Sequence, residues 1–122
     1  MTVKEAISYI DTTKPNGYSI GEKIRWLNEL DSTIQTEIVN IHEGAVQEKF
    51  VEYTEDSLDR QLIAMLPYDN IYTFWLEAKI DYTNGEYARY NNVNAMFATA
   101  YAKFVTHYKR THKPKPKKFK FF

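Results

Sequence analysis

Three histidines (His42, His107 and His112) and an acidic run (Glu55, Asp56 and Asp59) are the residues whose types invite chemistry. A histidine titrates near neutral pH and can move a proton or hold a metal. His107 and His112 stand five apart, a spacing that suits two ligands on one helical face poorly, and His42 is distant in the chain. An ordinary surface or packing role is the reading for all three. Glu55, Asp56 and Asp59 lack the alternating oxygen ligands and central glycine of an EF-hand, so a solvated acidic turn is expected. The chain has no cysteine, which excludes disulfide frameworks, thiolate zinc sites and cysteine nucleophiles. No P-loop, dinucleotide-binding glycine pattern or nucleophile elbow occurs. Four glycines leave little room for phosphate cradles. No catalytic, cofactor-binding or metal site is expected, and no enzyme.

The elements that could position other functions are clearer. A chain of 122 residues suffices for one domain with a modest core. No apolar run approaches the ~20 residues needed to span a bilayer. The opening MTVKEAISYIDTTK lacks the basic and apolar regions of a signal peptide, so a cytoplasmic place of synthesis and no membrane partner are expected. Zero net charge hides an asymmetry. Met1–Ala102 carries eight basic against sixteen acidic residues, a net of −8, and Lys103–Phe122 carries eight basic and no acidic residues. Such a split suggests a tail aimed at something negative: nucleic acid, a partner protein, or the acidic body of a neighbouring copy.

Thr2 and Glu5 have the spacing of a capping box, and Val3, Ala6, Ile7 and Ile10 follow on one face, predicting a short helix to about Asp11. Lys-Pro-Asn-Gly at 14–17 reads as a turn. Ser19 and Glu22 repeat the cap. Ile20, Ile24, Leu27, Leu30/Asp31, Ile34, Ile38 and Ile41 then mark a long amphipathic helix to about Glu43, with Gly44 as its C-cap. Its opposite face would carry Glu22, Lys23, Glu29, Ser32, Thr36 and Glu37. Residues 45–66 read as an ordered excursion. Phe50, Val51 and Tyr53 suit a short strand, and Leu58, Leu62, Ile63, Met65 and Leu66 are too apolar to stay exposed. Pro67 ends it, and Asp69 is the expected N-cap of the next helix.

Ile71, Phe74, Trp75, Ala78 and Tyr82 form one helical stripe; Tyr87, Tyr90, Asn94, Phe97, Tyr101, Phe104 and Tyr108 form another. The stripes are out of phase across Asn84-Gly85, which predicts two helices or one sharp kink. Core packing is the reading for Phe74, Trp75 and Phe97. Ten tyrosines and two tryptophans exceed what a small core hides, so Tyr82, Tyr87, Tyr90, Tyr101 and Tyr108 are candidate subunit contacts. Asn91, Asn92 and Asn94 either hydrogen-bond across a helix contact or face solvent.

After His112 the chain reads KPKPKKFKFF. Two prolines prevent helix continuation. A solubilising tail, a phosphate-binding tail and an added strand on a partner are the readings. Phe119, Phe121 and Phe122 favour docking over simple phosphate contact. The predicted fold is mainly α. It is a small bundle of three to four helices with a short irregular or β excursion near residues 45–66 and an extended C-terminal arm. Residues 1–112 form the helical domain and 113–122 the arm.

Lys14-Pro-Asn, Tyr18-Ser19 and Lys23-Ile-Arg-Trp-Leu-Asn-Glu-Leu-Asp31 resemble the opening of small structural proteins of tailed bacteriophages and prophages. The second block is more specific: Leu66-Pro-Tyr-Asp-Asn-Ile-Tyr72, Trp75-Leu-Glu-Ala-Lys-Ile-Asp-Tyr82, Asn84-Gly-Glu86, Arg89-Tyr-Asn-Asn92 and Met96-Phe97. Together the blocks are similar to head–tail connector (adaptor) proteins. The resemblance implies a non-catalytic virion protein of the neck, assembled in the host cytoplasm. It would form a ring, usually twelvefold, between portal and lower neck or tail, around a channel passing double-stranded DNA without sequence preference. A stopper or tail-completion protein would be the next neighbour. The C-terminal arm, with Lys113, Lys115, Lys117, Lys118, Phe119, Lys120, Phe121 and Phe122, becomes the candidate portal contact, although its composition departs from the family. A head-completion or stopper role is the nearest alternative. A small cytoplasmic nucleic-acid-binding protein using the lysine tail is the alternative from another class.

Overall fold

Thr2 starts the first helix by a reciprocal cap. Its hydroxyl accepts from the Glu5 N–H at 3.1 Å, and the Glu5 carboxylate accepts from the Thr2 N–H at 3.4 Å. In the computed structural model, which describes residues 1–42 and 44–112, helix α1 spans Val3–Thr13 and buries Val3, Ala6, Ile7 and Ile10. Helix α2 spans Ile20–Glu37, α3 Asn70–Thr83 and α4 Tyr87–Thr111. No strand occurs among the described residues, so the chain is mainly α, a four-helix bundle.

The long α2 stops sooner than its periodicity predicts. Beyond Glu37 the chain passes into a 3₁₀ turn, Val39–Ile41. Consecutive β-branched Ile38 and Val39 are weak helix formers. The buried Asn40 offers a better set of bonds. It accepts from Gln35 Nε2 at 2.8 Å and donates to the Glu48 carbonyl at 2.9 Å, and its own carbonyl accepts from Gln47. Gly44, with φ of +76°, therefore turns the chain after the reversal and does not cap α2. Ile20 and Ile41 are exposed, whereas Lys23 is buried with its ammonium 2.5 Å from Asp11, and Trp26 joins the core.

Residues 45–66 are ordered without a strand. Asn28 grips this segment by accepting from the Tyr53 N–H at 2.7 Å and donating to the Tyr53 carbonyl at 3.1 Å. Arg60 donates to the carbonyls of Val51 and Glu52. Side-chain and guanidinium donors thus satisfy backbone that a sheet would otherwise pair. Thr54 and Ser57 cap a 3₁₀ turn at Glu55–Ser57. Residues 58–62 return beside the N-terminus: Arg60 and Leu58 carbonyls accept from Val3 and Lys4, free donors of the first turn of α1. Leu62 is buried and Leu58 and Ile63 are half-buried. Met65 and Leu66 are 59% and 81% exposed, against expectation, because their segment turns outward before α3. Asp69 occupies the N-cap position of α3 but caps nothing with its side chain.

Helix α3 is the central element. Its Ile71, Tyr72, Leu76 and Ile80 are wholly buried toward α1 and α2, and Ala78 is buried as well. The stripe containing Phe74 and Trp75 turns toward α4. Two apolar faces explain why α3 shows little amphipathic contrast. Gly85, with φ of +75°, reverses the chain between α3 and α4, so the out-of-phase stripes are two helices of a hairpin. Phe74, Trp75 and Phe97 lie half-buried at the core margin.

Candidate functional site

The turn of the α3–α4 hairpin gathers three of the candidate tyrosines. The Tyr82 ring lies 5.8 Å from Tyr87 and 5.2 Å from Tyr90, both edge-on. Tyr82 and Tyr87 remain 57% and 60% exposed. A cleft beside them is lined by Trp75, Lys79, Tyr82, Tyr90 and Asn94. Its floor is fixed. Trp75 Nε1 donates to the Trp26 carbonyl at 2.7 Å, and Lys79 sits 4.7 Å over the Trp75 ring while meeting Glu29 at 3.0 Å. Tyr18 Oη donates to Asn84 Oδ1 at 2.5 Å and holds the turn itself.

Tyr101 and Tyr108 belong to a different part of α4. Tyr101 stacks on Phe97 at 5.5 Å, and Tyr108 stacks on His112 at 4.0 Å, nearly parallel. Both are half-buried. Burial pushes the Tyr101 hydroxyl pKa up, with Glu37 and Asp31 adding to it, and burial alone raises Tyr108. The fold also brings His42 to 4.9 Å from His112, although seventy positions separate them, while His107 stacks on Tyr68. Among the described residues no group of three metal-ligating side chains forms. The arm residues Lys113, Lys115, Lys117, Lys118, Phe119, Lys120, Phe121 and Phe122 lie outside the described residues.

The outer face of α4 has an unusual composition for a solvated helix. Ala95, Met96, Ala98, Thr99, Ala102 and Thr106 are exposed, and Lys103 is the single charge between Asn91 and Thr106. Asn91, Asn92 and Asn94 are exposed too, with no side-chain hydrogen bond among the described residues. Open grooves run along this face, rimmed by Tyr68, Lys103, His107 and Arg110.

One buried constellation escaped the sequence reading. Asp31 is wholly buried, accepting from Tyr53 Oη at 2.5 Å, Tyr72 Oη at 2.7 Å and the Ile63 N–H at 3.1 Å. Tyr72 Oη in turn accepts from the Ala64 N–H at 2.7 Å. Burial pushes the Asp31 pKa up against these donors, and burial together with the Asp31 charge pushes both tyrosine hydroxyls well above their usual range. The signal was an aspartate between Leu30 and Ile34 on an otherwise apolar stripe. The network clamps α2, the excursion and α3 together. Comparison with protein-family models, curated proteins and solved structures finds no match to this chain.

Proposed function

We propose that this chain is a structural, non-enzymatic virion protein of a tailed bacteriophage: a head–tail connector, or adaptor, forming a ring between portal and lower neck or tail. The observation that carries the reading is the form taken by the block most like those adaptors. Residues 66–97 build a helical hairpin whose aromatic end, at Tyr82, Tyr87 and Tyr90, stays exposed. Tyrosine-rich surfaces of this kind serve subunit contacts, being apolar at one end and wet at the other. In this reading the protein assembles in the host cytoplasm as a ring of about twelve, the number the family resemblance implies. The arm from Lys113 to Phe122 reaches portal, a stopper or tail-completion protein follows below, and DNA passes the acidic body without sequence preference.

The second reading, a nucleic-acid-binding protein, is favoured by the unbroken basic run of α4 and the arm, eight basic and no acidic residues from Lys103 onward. A stopper role remains the nearer alternative within the neck. Light scattering of the full chain and of residues 1–112, each with and without portal protein, separates them. A ring-sized species, or a monomer converted to one by portal, supports the adaptor. A monomer indifferent to portal that binds DNA at low salt overturns it.

A further inference from the structure

The outer face of α4 and the acidic edge of the excursion are complementary surfaces on different elements of one subunit. Helix α4 has four basic and no acidic residues. Its exposed alanines and threonines leave room for another backbone to approach closely. Lys103 and Arg110, at the groove rim, have no ion pair among the described residues. Residues 46–60 contain five acidic residues against Lys49 and Arg60, the latter held on the Val51 and Glu52 carbonyls and over the Tyr53 ring. Of the acidic residues, Glu52, Glu55 and Asp56 are exposed and likewise without an ion pair among the described residues. Val51, next to Glu52 in the chain, is 68% exposed, an apolar knob at the start of this acidic run. This edge packs on α2 through Asn28 and Tyr53, whereas α4 packs on α3.

We propose that the outer face of α4 is the docking site for a second copy of this chain, which seats Val51 over Ala98 and Ala102 and sets Glu52 and Glu55 against Lys103 and Arg110. The contact is head-to-tail, because each copy offers a different face. Such a contact closes into a ring or runs on as a filament according to its rotation. It deepens the adaptor reading and rests on it for the closed ring alone. The tyrosine end of the hairpin is then left for a different neighbour.

The chain has no cysteine, so single cysteines are unique handles. Full-length Ala102→Cys and Val51→Cys proteins are mixed and treated with a short bismaleimide. In an equimolar mixture the mixed product is expected to exceed the sum of the two self-products, which random collision would only match. It should fall about tenfold or more in Lys103→Glu/Arg110→Glu and return when the partner carries Glu52→Lys/Glu55→Lys. Circular dichroism confirms that each variant is folded. A mixed product no greater than the sum of the two self-products, or indifference to charge reversal, overturns the proposal. So does a crosslink lost only on removing residues 113–122, which would make the arm the cation. Light scattering of the wild-type chain scores the ring separately. Ring-sized particles with unselective crosslinking sink this contact alone. Selective crosslinking without a closed ring, with or without portal protein, sinks the adaptor reading and keeps the contact.

Discussion

Tyr72 Oη donates to Asp31 Oδ1 at 2.7 Å, and neither side chain is accessible to water. A carboxylate is acceptor-only, so the hydroxyls of Tyr53 and Tyr72 and the Ile63 N–H use lone pairs that burial takes from solvent. Asp31→Asn turns an NH₂ donor toward one of these donors and is expected to cost about 1–3 kcal/mol. Asp31→Ala leaves all three donors unmatched and should cost about 3 kcal/mol or more. Urea unfolding of both variants measures this.

The same aspartate predicts a pH trend. Its folded pKa is raised above the unfolded value of 3.8 by burial. The native state therefore holds this proton more tightly, and the contribution of Asp31 falls as pH rises from 3.8 through the raised value. Wild type minus Asp31→Asn stability should decline across that window. A difference that rises with pH there would contradict the assignment.

Alkaline titration tests the tyrosine side of the network. Tyr53 and Tyr72 have hydroxyls raised above 10.0, chiefly by burial and next by the Asp31 charge. Their contribution is fully present below pH 10.0 and is lost as pH climbs toward the folded values. Tyrosinate absorbance of the folded protein should therefore stop short of the ten tyrosines until the chain unfolds.

Lys14 meets the wholly buried Asp81 at 2.5 Å as an ion pair without hydrogen-bond alignment, and among the described residues the Asp81 carboxylate has no other partner. Lys14→Met strands a buried carboxylate and is expected to destabilise by about 3 kcal/mol. Adding Asp81→Leu should recover most of that loss. Thermal melts of the single and double variants decide it.

Gly85→Ala should cost about 1 kcal/mol, because φ is +75° while the space around a Cβ is open. Gly17→Ala, equally open and without a positive φ, should not lose stability. Equal effects at the two positions would remove the case for strain at the hairpin turn.

Local signals carried much of this architecture. The Thr2–Glu5 cap, the Asn84-Gly85 break and the 3.6-residue stripes are read within a few neighbouring residues, and they place α1, α3 and α4. Periodicity misled where a remote group won. Asn40 draws the chain out of helix through partners at 35, 47 and 48, and Asn28 takes the hydrogen bonds expected of a strand at Phe50–Tyr53.

By itself, the sequence determined the helical class, the hairpin break and the opposed charges of body and tail, because spacing and composition are properties of the chain. Only the tertiary structure decided which polar groups are buried. Asp31 sits on the apolar stripe because Tyr53 and Tyr72, 22 and 41 positions away, bring it donors. It also decided which apolar groups stay out. Met65 and Leu66 remain exposed because their segment turns outward before α3, and Tyr82 and Tyr87 because they stand at the hairpin turn, so exposure there depends on packing that no local pattern encodes.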